Sequence, residues 1–565
     1  MDYKEKYEAW LRDDSFDEAT HAELLAIQGD DAEILDRFYQ DLKFGTAGLR
    51  GKLGAGTNRM NLYTVAQASE GFARTIEAEG EEAKKRGIAL AYDVRHMSRE
   101  FAELTAEIFA AHGIHVYLHR EIQPTPLLSY TIRKLHAIAG VMVTASHNPR
   151  EYNGYKAYGE EGSQILDDMA NRILDNIAQV TSYASIPKMP LSEGLQCRLI
   201  EYVPDEVIEE YVSDVLKLTI HDGEEVDKGV RIVYSPLNGC GNKLVRRILA
   251  QRGFEQVYVV PEQELPDSDF TTVGYPNPED PKAFAYSIEL GKRVGADLLL
   301  ATDPDSDRTA LEVRNKEGEY VFLNGNRIGA LLVNYILTQK SAAGTLPANG
   351  AVIKSIVTGD LIKPICEKYG VEVFEVLTGF KNICAPANEW DRTGEKTYVF
   401  GFEESIGFNH GTFVRDKDAV SSAMLVAEMA GFYKKQGKTL MDVLEDLYQE
   451  YGHYDERLIS IVLEGLDGQA LIGRIMESFR AQGIEQIGEM KLVRTVDFDR
   501  DETGIPKSNV LKYYYDDKSW YALRPSGTEP KIKLYMYVVG KTAEDAQLKL
   551  DLMEKACRDR MNAVK

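Results

Sequence analysis

The chain has 565 residues, with 66 Lys and Arg against 90 Asp and Glu, a formal net charge of -24, and 44% hydrophobic and 28% charged residues. That length exceeds one hydrophobic core and calls for three or four domains of about 100–200 residues each. The composition is that of a soluble globular protein with no apolar run near the roughly 20 residues that span a bilayer, and the acidic balance argues against nucleic acid and acidic membranes as partners.

The opening stretch MDYKEKYEAWLRDDSFDEAT mixes acids and bases in a helical pattern. It lacks the basic flank and apolar run of a secretion signal, so a cytoplasmic location is expected. Five cysteines, Cys197, Cys240, Cys366, Cys384 and Cys557, are scattered with no CxxC pair. They read as reduced core thiols, not as a disulfide frame or zinc site.

One pattern then recurs three times. RGIALAYDVRHMSREFAELTAEIFAAHGIHVYL, KGVRIVYSPLNGCGNKLVRRILAQRGFEQVYVV and NGAVIKSIVTGDLIKPICEKYGVEVFEVL each run from an apolar strand through a loop and amphipathic helix to a glycine and a second β-rich run. The glycines, Gly113, Gly253 and Gly370, stand where a helix must turn into a strand, a place that favours the left-handed conformation. Each unit is a β-α-β, and strands alternating with helices imply mostly parallel sheets covered on both faces. The fold class is therefore α/β.

Beyond each unit another apolar strand empties into a polar loop: IAGVMV into TASHNP, ADLLLA into TDPDSDR, KTYVF into GFEES. Gly113 lies 33 positions before Ser146, and Gly370 lies 33 before Glu403; the 50 positions from Gly253 to Asp303 imply an insertion around PDSDFTTVGYPNPED. Ligands of open α/β sheets bind beyond the carboxyl ends of the strands, so three equivalent loops are expected to face one cleft. From about residue 456 the pattern changes to strand, turn, strand (KSWYALRPSGTEPKIKLYMYVVG) and a closing amphipathic helix, a smaller α+β domain. The expected limits are 1–205, 206–325 and 326–455 for three similar mixed-sheet α/β domains, and 456–565 for the fourth.

In DPDSDR, Asp303, Asp305 and Asp307 alternate, and three carboxylates this close repel unless a hard divalent cation such as Mg²⁺ sits among them. An EF-hand would need glycine and glutamate where Arg308 and Arg314 stand; a solvated acidic turn is the alternative for this stretch taken alone. RPSGTEPK offers Arg524, Ser526, Gly527 and Thr528 as a cradle for phosphate oxygens, although Arg-Pro and Ser-Gly are also common turn pairs. GFEESIGF, read as extended, places Glu403 and Ser405 on one face, a carboxylate and hydroxyl suited to a sugar. TGFK (Thr378, Gly379) and VRDKD (Arg415, Lys417) add polar and basic groups, and each alone also reads as a surface feature. Ser146 lacks the GxSxG elbow, and its neighbour His147 is badly placed by adjacency to serve as its base in a Ser-His-Asp hydrolase. There remains a serine that carries a phosphoryl group beside a metal-holding trio, since phosphoryl transfer depends mainly on alignment and charge stabilisation.

Together these motifs, one per domain and in family order, resemble the α-D-phosphohexomutase superfamily over nearly the whole chain. The resemblance implies four domains around a central cleft, with Ser146 phosphorylated and one Mg²⁺ held by Asp303, Asp305, Asp307 and an oxygen of phospho-Ser146. It implies that Glu403 and Ser405 hold sugar hydroxyls, and that Arg524, Ser526, Gly527 and Thr528 grip the unreactive phosphate. Arg308, Thr378, Gly379, Arg415 and Lys417 are counted with the substrate-binding residues. Lys156, ten residues past Ser146, matches the family's general acid/base, with His147 assisting, and KFGTAGLRG resembles the opening motif that brings Arg50 into the site. A lysine acts as a base only where burial or nearby cations lower its pKa; otherwise Lys156 and Arg50 clamp phosphate. GFEES, which departs from the branch's usual GEES by the added Phe402, and FGTAGLRG resemble the phosphoglucomutase and phosphopentomutase-like branch. The implied reaction interconverts glucose 1-phosphate and glucose 6-phosphate through glucose 1,6-bisphosphate, which also serves as activator. Phosphopentomutase, phosphomannomutase, sugar 1,6-bisphosphate synthase and a non-catalytic phosphosugar-binding protein are the alternatives.

Overall fold

The three predicted β-α-β units become three sheets built on one plan, in a computed structural model that describes residues 2–45, 48–463, 465–526 and 531–564. The first sheet contains β1 (Gly48–Lys52), β2 (Ile88–Tyr92), β3 (Val116–Leu118), β4 (Ala139–Val143), β5 (Tyr152–Gly159) and β6 (Ile200–Tyr202), in the order β1-β5-β4-β2-β3-β6. The second contains β7 (Ile232–Ser235), β8 (Val257–Val259), β9 (Leu298–Thr302), β10 (Thr309–Arg314) and β11 (Tyr320–Leu323), ordered β11-β10-β9-β7-β8. The third contains β12 (Gly350–Ser355), β13 (Glu372–Val376), β14 (Thr397–Glu403) and β15 (Gly407–Asn409), ordered β13-β12-β14-β15.

In each sheet the first strand of the β-α-β lies between two parallel neighbours, and the next strand returns antiparallel. Thus β2, β3, β4 and β5 correspond to β7 to β10 and to β12 to β15. The central strands IALAY, IVYS and GAVIKS are buried along their whole length, as expected of strands covered on both faces. Gly113, Gly253 and Gly370 have φ of +69°, +80° and +68°, the left-handed geometry that ends each crossover helix without a Cβ clash.

The fourth sheet contains β16 (His453–Val462), β17 (Gln486–Ile487), β18 (Met490–Asp497), β19 (Leu511–Tyr515), β20 (Trp520–Pro525) and β21 (Lys531–Gly540), ordered β16-β21-β20-β19-β18-β17 and antiparallel throughout. The closing helix is Ala543–Asn562. A continuous apolar core runs from Leu127 and Tyr130 through the second and third sheets to Trp520 and Tyr537; the first sheet has its own core around Phe72, Phe109 and Tyr155. Before β1, three short helices gather Trp10, Phe16 and Phe38 into a separate aromatic cluster against Tyr63 and Tyr183. Cys240, Cys366, Cys384 and Cys557 are buried and Cys197 is exposed, all as free thiols. Among the described residues no helix is long and apolar enough to cross a membrane.

A buried lysine takes part in docking the fourth domain on the third. Lys512 Nζ donates to the Ile356 carbonyl at 2.6 Å and lies 3.9 Å above the Trp520 ring, whose Nε1 donates to Asp360 at 3.0 Å. Burial pulls Lys512 down to about 7, against the attraction of Asp360. An unfolded lysine holds its proton up to about 10.4. Between those limits the unfolded chain binds the extra proton, so the Lys512 contribution to stability rises with pH from about 7 to 10 and is lost as pH falls toward 7. Denaturant unfolding of wild type and Lys512→Met at pH 7 and pH 9.5 should show the difference between them shifting in favour of wild type at the higher pH.

Candidate active site

The three predicted loops all join a buried parallel strand to its antiparallel return: β4 to β5, β9 to β10, and β14 to β15. Each contains one non-glycine residue in the left-handed region, Ser146 at φ +53°, Ser306 at +51° and Ile406 at +55°. Such a residue costs of order 1–3 kcal/mol and persists only where its surroundings hold it. Here the loops hold one another. Thr309 N–H donates to the Ile406 carbonyl at 3.0 Å, Ala419 N–H to that of Ser306 at 3.3 Å, and Thr125 N–H of the first domain to that of Asp305 at 2.9 Å.

Ser146 is 4% exposed. Its Oγ donates to Asp303 Oδ2 at 2.9 Å and lies 3.2 Å from His147 Nδ1. The left-handed backbone at Ser146 brings these adjacent side chains together, which sequence adjacency alone did not lead us to expect. Burial, then Arg308, Arg50, Arg95 and Lys156, pushes the His147 pKa well below its ordinary value.

The serine loop is held by groups the sequence analysis did not single out. Arg95 donates to four of its carbonyls, Ser146 and Asn148 at 2.5 Å, Pro149 at 2.9 Å and Tyr152 at 3.0 Å. Asp93 pairs with Arg95 and accepts from Thr144 Oγ1 at 2.6 Å, and Thr144 Oγ1 in turn accepts the Ser146 N–H at 2.7 Å. The available signal was position: DVRH follows β2, at the same strand end as the other loops.

Asp303, Asp305 and Asp307 are buried, each with a carboxylate oxygen within 4.8 Å of the others. Asp303 Oδ1 accepts the N–H groups of Asp307 and Arg308. Lys156 Nζ reaches Asp305 at 2.8 Å and Asp307 at 3.3 Å, Lys417 Nζ reaches Asp307 at 3.2 Å, and Thr125 Oγ1 donates to Asp305 at 2.8 Å. Burial, with Asp307 and Asp305 alongside, pushes Asp303 well above the carboxylate range. Asp305 Oδ1 and Asp307 Oδ1 are buried without a protein partner. Three oxygen donors, two of them with an unpaired atom and one with its charge disfavoured, fit a hard divalent cation such as Mg²⁺.

Cations surround this trio. Burial lowers the pKa of Lys156, but Asp305 and Asp307 outweigh it and hold the group above the ordinary lysine value; without a metal it is an ammonium. Lys417 is likewise held protonated, by Asp307, Asp416 and Glu403 against its burial. Arg308 pairs with Glu279 at 3.3 Å. The β1–β5 register sets Arg50 opposite Gly154 and Gly48 opposite Lys156, so Arg50 shares a sheet face with Lys156, and its guanidinium lies 3.3 Å from Asn148 Oδ1.

On the third loop, Glu403 is buried and accepts the Gly379 N–H at 2.6 Å, next to Thr378. The extended reading of GFEESIGF needs correction. Strand β14 ends at Glu403, Glu404–Ile406 form a turn, and Glu403 pairs with Gly407 across the hairpin, so Ser405 stands at the turn and the alternate-face argument does not apply to it. Arg415 also differs from expectation. It is fully buried, with its guanidinium on Asn388, Asp391 and the Thr412 carbonyl, where it fastens its own loop to the helix Phe380–Thr393.

In the fourth domain Arg524 of β20 sits directly opposite Lys533 of β21. Burial and Arg524 together lower the Lys533 pKa. Like charges directly opposite destabilise a strand pair, so this arrangement suits an anion bound across it. Ser526 N–H donates to the Lys531 carbonyl at 2.8 Å. Gly527 and Thr528, like Thr46 and Ala47 of the opening motif, lie outside the described residues.

A serine hydroxyl set against a carboxylate trio, where equivalent loops of repeated α/β domains meet, is an arrangement suited to phosphoryl transfer. Models of the phosphoglucomutase/phosphomannomutase α/β/α domains I, II and III match residues 41–184, 209–317 and 324–451. A phosphoglucomutase of Staphylococcus epidermidis is 41% identical over 506 residues, covering 88% of this chain and 90% of that protein. One of Staphylococcus aureus is 38% identical over 537 residues, covering 93% and 95%. In fold, the chain is similar to the open form of Paramecium parafusin, a phosphoglucomutase, with a TM-score of 0.69 at 17% identity over 93% of this chain and 95% of that one. The chain belongs to the phosphoglucomutase/phosphomannomutase family.

Removing one anionic oxygen from the trio should weaken its hold on a cation. Asp305→Asn is expected to bind Mg²⁺ at least about tenfold more weakly than wild type by titration calorimetry; equal affinity would exclude Asp305 as a ligand.

Proposed function

We propose that the chain is a phosphohexomutase that interconverts glucose 1-phosphate and glucose 6-phosphate through a phosphoserine at Ser146 and a glucose 1,6-bisphosphate intermediate. The observation that carries this reading is the placement of the Ser146 hydroxyl 2.9 Å from Asp303, within a buried carboxylate trio ringed by Lys156, Lys417 and Arg308. The 38–41% identity to phosphoglucomutases supports glucose as the sugar.

Asp303, Asp305 and Asp307 would hold Mg²⁺, with a phosphoserine oxygen completing the set, and the ion supplies charge neutralisation on the phosphoryl oxygens. The chain supplies the rest. Phospho-Ser146 offers its phosphorus to the free sugar hydroxyl, and the departing Oγ is left beside Asp303 and His147. His147 or Lys156 manages the hydroxyl proton. Lys156 and Arg50 share a sheet face and otherwise clamp the phosphate. The bisphosphate then turns in the cleft and returns its other phosphate to Ser146. Glu403 and Ser405 hold central hydroxyls, which keep their partners through such a turn better than groups at either end. Arg524, with Lys533 opposite and Ser526, Gly527 and Thr528 of the same motif, grips the phosphate that is not reacting.

Freshly purified protein, or protein treated with glucose 1,6-bisphosphate, should carry about 80 Da of extra mass from one phosphate, located on Ser146 by peptide mapping. Ser146→Ala should lose turnover while still binding glucose 6-phosphate. Comparing kcat/KM for glucose 1-phosphate, mannose 1-phosphate and ribose 1-phosphate tests the substrate; a pentose preferred by about tenfold, or 1.4 kcal/mol of transition-state binding, would overturn the choice of glucose.

A further inference from the structure

The insertion predicted in the second domain, residues 266–280, reaches across to three groups of the site. The Phe270 ring is fully buried with the Arg95 guanidinium 5.1 Å from its centroid. The Tyr275 ring meets His147 edge-on, with centroids 6.2 Å apart. Glu279 pairs with Arg308 at 3.3 Å. Further anchors fix the segment to the first domain: Ser268 Oγ donates to the Val94 carbonyl at 2.6 Å, and Asp269 Oδ1 lies 3.0 Å from His96 Nε2 and 3.6 Å from an Arg150 nitrogen.

The segment is shaped for this position. Asp267 accepts the N–H groups of Asp269 and Thr271, and the Phe270 carbonyl accepts those of Val273 and Gly274. Phe270 is a bulky residue at φ +45°, a strained geometry that a bulky residue adopts only where its surroundings impose it; here it delivers the ring under Arg95. Pro266, Pro276 and Pro278 stiffen the path. The strap thus packs against both the Arg95 clamp and His147 of the serine loop.

A phosphoserine faces a specific hazard. Water, like a sugar hydroxyl, could attack it while giving up a proton to a side chain of the site. The water oxygen would then bond to phosphorus, the bond from phosphorus to Ser146 Oγ would break, orthophosphate would leave, and Oγ would regain a proton. A mutase that allowed this would discharge itself between turnovers, and exclusion of water is how closed sites prevent such side reactions.

We propose that the strap keeps water from phospho-Ser146, with Tyr275 covering the His147 imidazole; this rests on the phosphoserine reading above. Tyr275 touches neither serine nor sugar and is a positioning residue. Its effect falls on the lifetime of the phosphoenzyme.

The test loads wild type, Tyr275→Ala and Tyr275→Phe with phosphate from glucose 1,6-bisphosphate, removes free sugar, and follows loss of the added mass together with each melting temperature. Tyr275 is partly exposed, so both variants should melt within a few degrees of wild type. Tyr275→Ala should lose its phosphate at least about tenfold faster than wild type, and Tyr275→Phe, which keeps the ring, should match wild type. A Tyr275→Ala phosphoenzyme as durable as wild type overturns the proposal, as does Tyr275→Phe hydrolysing as fast as Tyr275→Ala. Should Tyr275→Ala melt far below wild type, Asp269→Asn, which loosens the strap at His96 and Arg150, takes its place under the same two outcomes. A wild-type chain that never gains phosphate overturns the phosphoserine reading and the strap with it, whereas a phosphorylated wild type with an equally durable variant overturns the strap alone.

Discussion

The structure depends on one unfavourable fact: three carboxylates are buried together in a protein that already carries an excess of negative charge. Each would be driven to take up a proton unless positive charge were brought to it, and the chain brings that charge from separate places. Lys156 arrives from the first domain and Lys417 from the third, while the second domain holds the trio itself. The same electrostatics that suit the trio to a cation therefore also help to join the α/β domains. Thr125 strengthens the junction by donating both its backbone N–H and its hydroxyl to Asp305. The contacts that surround the trio thus also contribute to domain assembly.

Repetition makes the junction possible. Three sheets of one topology present three equivalent loops, each with a left-handed residue at its bend, and their chemistry has diverged: a hydroxyl on the first, carboxylates on the second, and a carboxylate with a turn serine on the third. A bend of that kind turns the chain sharply at a strand end and projects short polar side chains from a rigid base. Rigid support matters where reacting atoms must be aligned closely, since small misplacements are expensive in rate.

Much of this was legible in the sequence because it is local. Apolar runs of strand length, helices ending in Gly113, Gly253 and Gly370, and polar loops at equal distances from two of those glycines identified the fold plan, and runs such as DPDSDR declare their chemistry within six residues. What escaped was decided by contacts distant in sequence. Arg95 and Arg415 are both arginines in polar loops. One clamps the serine loop and the other anchors a helix 24 residues away, and no neighbouring residue distinguishes them. The GFEESIGF hairpin was misread because its apolar residues continue on both arms, which hides the reversal between Glu403 and Gly407. The contact between Ser146 and His147 depends on a single backbone angle, to which residue type is a poor guide.

The Arg524–Lys533 pair has a consequence beyond recognition. Two cations held opposite one another strain the strands that carry them, and an anion lodged between them would relieve that strain. On the proposed assignment of this pair to a sugar phosphate, the ligand would steady the fourth domain as well as be held by it: the sheet would be tighter when loaded and looser when empty. Release of product would then restore the repulsion between Arg524 and Lys533.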